Sequence, residues 1–107
     1  MITLKIYSKE DKNKVEKIHQ AEGYDLMLGT VEDFMNIIDI DKLQDRNEVT
    51  KMVMKGYQQL KPLIKDIFPD LTDEEYRRIK ISDLIVTIIQ VGTAVIENLK
   101  IIRPEKN

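Results

Sequence analysis

A run of apolar residues at helical spacing across residues 49–67 constrains the fold of this chain more than any other feature. On a helical projection they occupy roughly 140° of arc, the width of a core-facing stripe. They are Val49, Met52, Val53, Tyr57, Leu60, Leu63, Ile64 and Ile67. The pattern predicts an amphipathic helix over residues 47–68, capped by Asn47. Pro62 predicts a kink or two abutting helices, because proline removes a backbone hydrogen bond.

The first residues carry the pattern of a β-hairpin. Ile2, Leu4 and Ile6 alternate with polar neighbours, which is the period of a half-buried strand. After a polar turn, Val15–Ala21 is predicted to pair back as the second strand, so that the hairpin covers residues 1–22. An isolated hairpin is only marginally stable. We therefore expect it to pack on a helix or to join another sheet.

Capping signals place the remaining helices. Thr30, Ser82 and a capping box from Thr72 to Glu75 each precede an apolar stretch. The predicted helices cover residues 30–41, 47–68, 73–79 and 83–99, and a flexible tail follows at 103–107. The chain is thus expected to be a single domain, residues 1–107, of the α+β class and mainly helical, in which about four helices follow the hairpin.

The last predicted helix has more apolar surface than an ordinary core-facing helix. Its apolar arc spans roughly 160°, against the 100° or more that is usual, and Gly92 lies inside the arc, where another helix could approach closely. The excess lies on one flank, formed by Ile85, Ile89 and Ile96. This flank is predicted to be a protein interface, either between copies of a homo-oligomer or with a client.

Two methionines are further candidates for contact with a partner. Met54 lies off the apolar stripe of its helix, and Met27 lies in a linker. Methionine suits such surfaces because its side chain is flexible and polarisable. The lysines opposite the stripe, from Lys51 to Lys65, are expected to form a solvated face, with an anionic partner as the alternative.

The chain offers few residues for chemistry. Its one histidine, His19, is expected to be a solvated strand residue without a nucleophile or water to activate. Asp39, Asp41 and Asp45 lack the glycine and the terminal glutamate of a calcium loop, and the acids at residues 70–75 are explained by helix capping. We therefore predict no catalytic residue, no cofactor-binding residue and no metal site.

Composition excludes several classes of protein. The absence of cysteine rules out disulfides and thiolate zinc ligands. A formal net charge of −2 disfavours nucleic acid as a partner, because phosphate-binding proteins usually carry a basic excess. The longest uncharged stretch, residues 84–96, has 13 residues, whereas a membrane-spanning helix needs about 20. These features predict a soluble, cytoplasmic protein that does not enter a membrane.

Two segments resemble a known family. Residues 24–33 have the sequence YDLMLGTVED, and residues 59–69 have the sequence QLKPLIKDIFP, followed at residues 71–75 by LTDEE. With the apolar last helix and the opening hairpin, they resemble the small tail assembly chaperones of siphophages and prophages of low-GC Gram-positive bacteria. The motifs are structural and carry no chemistry.

The resemblance implies a protein that acts in the host bacterial cytoplasm and is absent from the mature virion. It would bind the tape measure protein, recruit tail tube subunits around it, and associate with copies of itself, with no catalytic residue or cofactor. The alternative from the sequence is a generic dimerising helical adaptor or an antitoxin-like regulator. An enzyme is a remote third, since its site would consist of carboxylates and lysines alone.

Overall fold

The computed structural model describes residues 1–102. Within that range two antiparallel strands, β1 (Ile2–Tyr7) and β2 (Val15–Ala21), precede the helices. The helices are α1 (Leu28–Ile37), α2 (Arg46–Ile67), α3 (Asp73–Tyr76) and α4 (Ile81–Ile102), and single 3-10 turns occupy Gly23–Asp25 and Ile40–Lys42. The predicted fold class, with its hairpin and apolar last helix, is confirmed. The predicted tail at residues 103–107 lies outside the described residues.

The hairpin packs one face against the helices. Ile2, Leu4 and Ile6 are each at most 1% exposed, as their alternation predicted. The strands pair antiparallel with Leu4 opposite His19, and a bulge interrupts the register next to Tyr7. Apolar residues on one face of β1 therefore fix which side of the hairpin meets the core.

α4 lies along the outer edge of β1. The Thr3 N–H donates to Gln90 Oε1 at 2.9 Å, and the Thr87 hydroxyl donates to the Thr3 carbonyl at 2.6 Å. These side chains satisfy backbone groups that would otherwise need a third strand. The expectation that the hairpin must pack on a helix is confirmed.

One apolar cluster joins the hairpin to α1, α2 and α4. Its fully buried members include Leu4, Phe34, Val53, Leu60, Ile64, Ile88, Val91 and Val95. Gly92 meets this cluster at short range, because a Cβ at this position would overlap the side chain of Leu43. The close approach expected at Gly92 is therefore present, but its neighbour is a turn residue of the same chain.

Two sequence-based expectations for α2 are wrong. The helix is capped by Asp45, whose carboxylate accepts from the Asn47 N–H at 3.0 Å, so Asn47 lies inside it. The backbone leaves helical angles at Gly56 (φ −111°, ψ 19°) and not at Pro62. Pro62 is exposed, so its ring points away from the core. Gly56 is buried where α1 crosses α2, with only 2.8 Å between a built Cβ and Ile37 Cγ2.

The other helix boundaries also differ from the prediction. α1 begins at Leu28, so Thr30 is a buried residue inside the helix rather than its cap. The predicted helix over residues 30–41 is divided into α1 and the Ile40–Lys42 turn. α3 ends at Tyr76, three residues before the predicted end, and α4 begins one residue before its predicted cap, Ser82. Burial of the side chain in the fold accounts for the difference at Thr30, whereas Leu28 and Ile81, where α1 and α4 begin, are exposed.

Candidate protein-binding surface

An open apolar depression lies where α2, α3 and the start of α4 meet, and we call it the apolar groove. Its volume is about 220 Å³, below the roughly 300–1,000 Å³ of pockets for drug-sized ligands. It is lined by Val53, Met54, Tyr57, Tyr76, Ile79, Ile81 and Leu84. Met54, Tyr57 and Ile81 are 52%, 55% and 57% exposed. A depression with so much exposed apolar surface is suited to the side chains of another protein.

The sequence builds each wall of the apolar groove from local rules. Met54 and Tyr57 are three residues apart on α2 and so project from the same side of the helix. Gly56, where α2 bends, lies between them. On the opposite wall the chain leaves α3 and enters α4, which brings Ile79 and Ile81 to the rim. The short helix α3, the segment that follows it and the start of α4 therefore form the wall opposite α2.

Hydrogen bonds and ion pairs of Glu75 hold α3 against the hairpin. Its backbone N–H donates to Thr72 Oγ1 at 3.1 Å, and its carboxylate accepts from the Thr72 N–H at 3.1 Å, which completes the predicted capping box. The same carboxylate lies 3.1 Å from His19 Nε2 and 3.4 Å from Lys17 Nζ, both on β2. Burial raises the pKa of Glu75, but bonds from Thr72, His19 and Lys17 outweigh it and leave that pKa below its ordinary value.

His19 does not have the solvated position that the sequence predicted. It is 7% exposed, and its ring centroid lies 6.1 Å from that of Phe68. It lies opposite Leu4 and on the same face of the hairpin, so it turns toward α3 and the end of α2. His19 and Glu75 are bonded to each other inside the fold, where they hold elements together.

Arg78 makes a second connection between the hairpin and the groove. Its guanidinium donates to the Tyr7 carbonyl at 2.8 Å, to Glu16 at 3.1 Å and to Glu74 at 3.0 Å. Lys9 and Arg78 together hold the pKa of Glu74 below its usual range, with Lys9 the larger influence. Arg78 lies between Tyr76 and Ile79 in the chain. Its bonds therefore position the segment that forms one wall of the apolar groove.

The five predicted interface residues occupy different parts of the molecule. Met54 lines the apolar groove. Met27 is 73% exposed, but it lies at the start of α1 and does not line the groove. Ile85 is only 4% exposed, so its predicted place on an open flank is wrong; α4 has neighbours on more than one side and buries it. Ile89 and Ile96 are half-buried and pack against the core.

Ile89 also borders a second depression, which is larger and more polar. Its volume is about 460 Å³, and it lies between the N-terminus, the Gly23–Asp25 turn and α4. Its lining residues include Met1, Tyr24, Ile89, Gln90, Thr93, Glu97 and Asn98. The Asn98 amide donates to the Gly23 carbonyl at 2.9 Å and closes one side. This second depression mixes carboxylate, amide and apolar groups. It is therefore less suited than the apolar groove to binding the apolar face of a helix.

Most residues of the apolar groove were not predicted from the sequence. Tyr57 was assigned to the core stripe of α2, and Ile81 was placed outside the last helix. The three-residue spacing of Met54 and Tyr57 was the signal that could have placed both on one surface.

The lysine face of α2 is partly neutralised, since Lys65 and Lys61 approach Asp73 to 2.5 and 3.5 Å. Lys65 and then Lys61 lower the pKa of Asp73.

Two further kinds of site, a metal site and a membrane-spanning helix, bear on the function. Within residues 1–102, no group of three or more histidine and acidic side chains could hold a metal ion. Ile81–Leu99 is long and apolar enough to cross a membrane by length and composition alone. This segment exceeds the 13-residue uncharged stretch because it includes two charged residues, Asp83 and Glu97. In the fold, however, α4 buries Ile88 and Val91 in the core and bonds to β1.

The chain was compared with protein-family models, curated proteins and solved structures, and none of them matches it.

Proposed function

We propose that this chain is a non-enzymatic tail assembly chaperone of a siphophage or prophage, which binds the tape measure protein. The apolar groove is the observation that carries the proposal. It leaves Met54, Tyr57 and Ile81 more than half exposed beside a folded core. Exposed apolar surface of this kind marks sites of protein contact.

The groove is suited to the apolar face of a helix. Helices bind other proteins by placing side chains at three- and four-residue spacing into such depressions. Methionine at the rim can adapt to different side chains along a repetitive client, while tyrosine provides a rigid apolar surface with a polar end. A long helical client needs many such contacts to stay soluble. It needs no chemical step.

The identity of the client comes from the family resemblance. Residues 24–33 and 59–75 resemble tail assembly chaperones, whose client is the tape measure protein. The proposal therefore includes recruitment of tail tube subunits, association between copies of this chain, and action in the host bacterial cytoplasm without a place in the mature virion. A dimerising adaptor is the alternative, and it would bind a different partner.

The proposal is tested by co-expression with the tape measure protein that it predicts to be encoded next to this chain. We expect a higher soluble yield of that protein and its recovery with the tagged chain. Met54→Gln should weaken recovery about five-fold or more, because hot-spot contacts contribute over about 1 kcal/mol. Met27→Gln changes a methionine that is even more exposed (73% against 52%) and lies outside the groove, so it should have no effect.

Both variants should unfold at the wild-type denaturant concentration, since each changes a surface side chain. Failure of the wild-type chain to raise the yield or to recover the tape measure protein would contradict the chaperone proposal. Loss of recovery with Met27→Gln alone would place the binding surface at the start of α1. Recovery of another partner by a chain inert toward the tape measure protein would favour the adaptor.

A further inference from the structure

The two edges of the hairpin differ in how they are covered. The outer edge of β1 is occupied by α4 through Thr3, as described above. Within residues 1–102, no other strand and no side chain bonds to the backbone groups on the outer edge of β2; its side-chain bonds to Glu75 and Arg78 leave those groups open. Strand β2 is exposed from Val15 to Ile18 and again at Gln20. An open edge of this kind is a template for pairing with another strand.

The pairing of the strands shows which backbone groups of β2 are open. Both the N–H and the carbonyl of Thr3 bond to α4, so they point away from β2. Its cross-strand partner Gln20 must then point its own N–H and carbonyl away from β1. Ile18, two residues earlier and opposite Lys5, does the same. The open edge therefore presents backbone donors and acceptors at Ile18 and Gln20.

We propose that this edge pairs with the same edge of a second copy of the chain, antiparallel about a two-fold axis at Ile18. Ile18 then lies opposite Ile18 of the second copy and exchanges two backbone hydrogen bonds with it. Glu16 lies opposite Gln20, and Lys17 opposite His19. Just beyond the strands and past the bulge, Lys14 comes near Glu22 of the second copy, and symmetry repeats that pair of opposite charges.

Neighbouring registers are less favourable. The open backbone groups recur at every second residue of β2. The two-fold axis can therefore pass only through a residue, and not between two residues, if Ile18 and Gln20 are to bond to the second copy. An axis at Lys17 places two lysines directly opposite each other, and an axis at His19 places Glu16 opposite Glu22. Like charges directly opposite are destabilising. The Ile18 register avoids both and pairs β2 as far as the bulge opposite Tyr7.

The resulting dimer has a four-stranded antiparallel sheet and two apolar grooves. This inference does not depend on the identity of the client. A pair of seven-residue strands buries less than the roughly 1,200 Å² of a stable standard interface. We therefore expect a dimer whose population rises with protein concentration, and a client with several binding segments would strengthen it by engaging both grooves.

Single cysteines test the geometry directly, because the natural chain has none. In the proposed register the two Cα atoms at position 18 lie about 5.5 Å apart, within the usual range for a disulfide. Mild oxidation of Ile18→Cys should therefore give a covalent dimer. Lys5→Cys is the matched control, exposed opposite Ile18 on β1. Three strand spacings, about 14 Å, separate its two copies.

We expect cross-linking of Ile18→Cys at least ten-fold faster than that of Lys5→Cys. Equal rates, or a monomeric Ile18→Cys chain after oxidation, would overturn the proposal. A charge exchange then tests the register by sedimentation at increasing concentration. Lys14→Glu and Glu22→Lys should each weaken the dimer, and the double variant should restore it. Weakening without restoration would reject this register.

Discussion

Both α2 and α4 contain 22 residues, yet their apolar side chains differ in how far the fold buries them. α4 has the wider apolar arc, but it packs against β1, α2 and the Gly23–Asp25 turn, so Ile85 and Ile88 are buried. α2 has an ordinary core stripe, yet it leaves Met54 and Tyr57 exposed in the apolar groove. The width of an apolar arc thus reports how many elements surround a helix. It does not report how much surface remains for a partner.

The largest expected effect tests whether α4 is a core helix. Ile88→Ala should lower the free energy of unfolding by about 2–5 kcal/mol, because Ile88 is fully buried and its truncation leaves a cavity. Val86→Ala, two residues away at a position 40% exposed, should change it by less than about 0.5 kcal/mol. Urea titration measures both. Equal, small effects would mean that α4 packs loosely and would break the comparison with α2.

A smaller effect tests the close approach at Gly92. Gly92→Ala should destabilise the fold by about 1–3 kcal/mol, because the new methyl group overlaps Leu43 and the packed core must shift. Gly29→Ala is the matched control. A Cβ at that position in α1 meets nothing within 4 Å, so alanine should stabilise the chain by about 0.4–1 kcal/mol. Stabilisation by both substitutions would show that α4 has room on this side.

The smallest expected change in stability concerns Glu75, which holds α3 in the wall of the apolar groove opposite α2. The pKa of Glu75 is depressed in the folded chain, so its contribution to stability is present above its ordinary value of 4.5 and is lost as the pH falls through the depressed pKa. The free energy of unfolding should therefore decrease below about pH 5. Glu75→Gln should flatten this decrease and destabilise the chain by about 1 kcal/mol at neutral pH.

Urea titrations at several pH values measure the slope, with Glu32→Gln, an exposed acid on α1, as the control. An unchanged acid slope in Glu75→Gln would mean that other carboxylates dominate. Binding of the client should decline in the same acid range if α3 is needed to form the apolar groove. Client binding that persists at the pH where the contribution of Glu75 to stability is lost would show that α2 alone forms the binding surface.

Local patterns were sufficient for the elements that depend on near neighbours. The alternation of Ile2, Leu4 and Ile6 predicted β1, and the bounds of β2 agree with the prediction. The capping box at Thr72 and, except for Tyr57, the stripe of α2 were also predicted correctly. These features follow from periodicity and from hydrogen bonds within four residues, which a sequence shows directly.

The remaining errors arise from contacts between distant segments. His19 was expected in solvent, but Glu75 lies 56 positions away and pairs with it inside the fold. Ile85 was expected on an open flank because the sequence does not show which elements surround α4. The apolar groove joins residues of three helices, and only Met54 was a candidate. A site of that kind appears only after the tertiary packing is known.

The bonds between α4 and β1 also have a consequence for synthesis of the chain. Thr3 bonds to Gln90 across 87 positions, so the ribosome must add most of the chain before the edge of β1 can be covered. Contacts at such separation form slowly. During that interval both edges of the hairpin are open to other nascent chains. Slow translation ahead of α4 would therefore increase mispairing between chains on the same message.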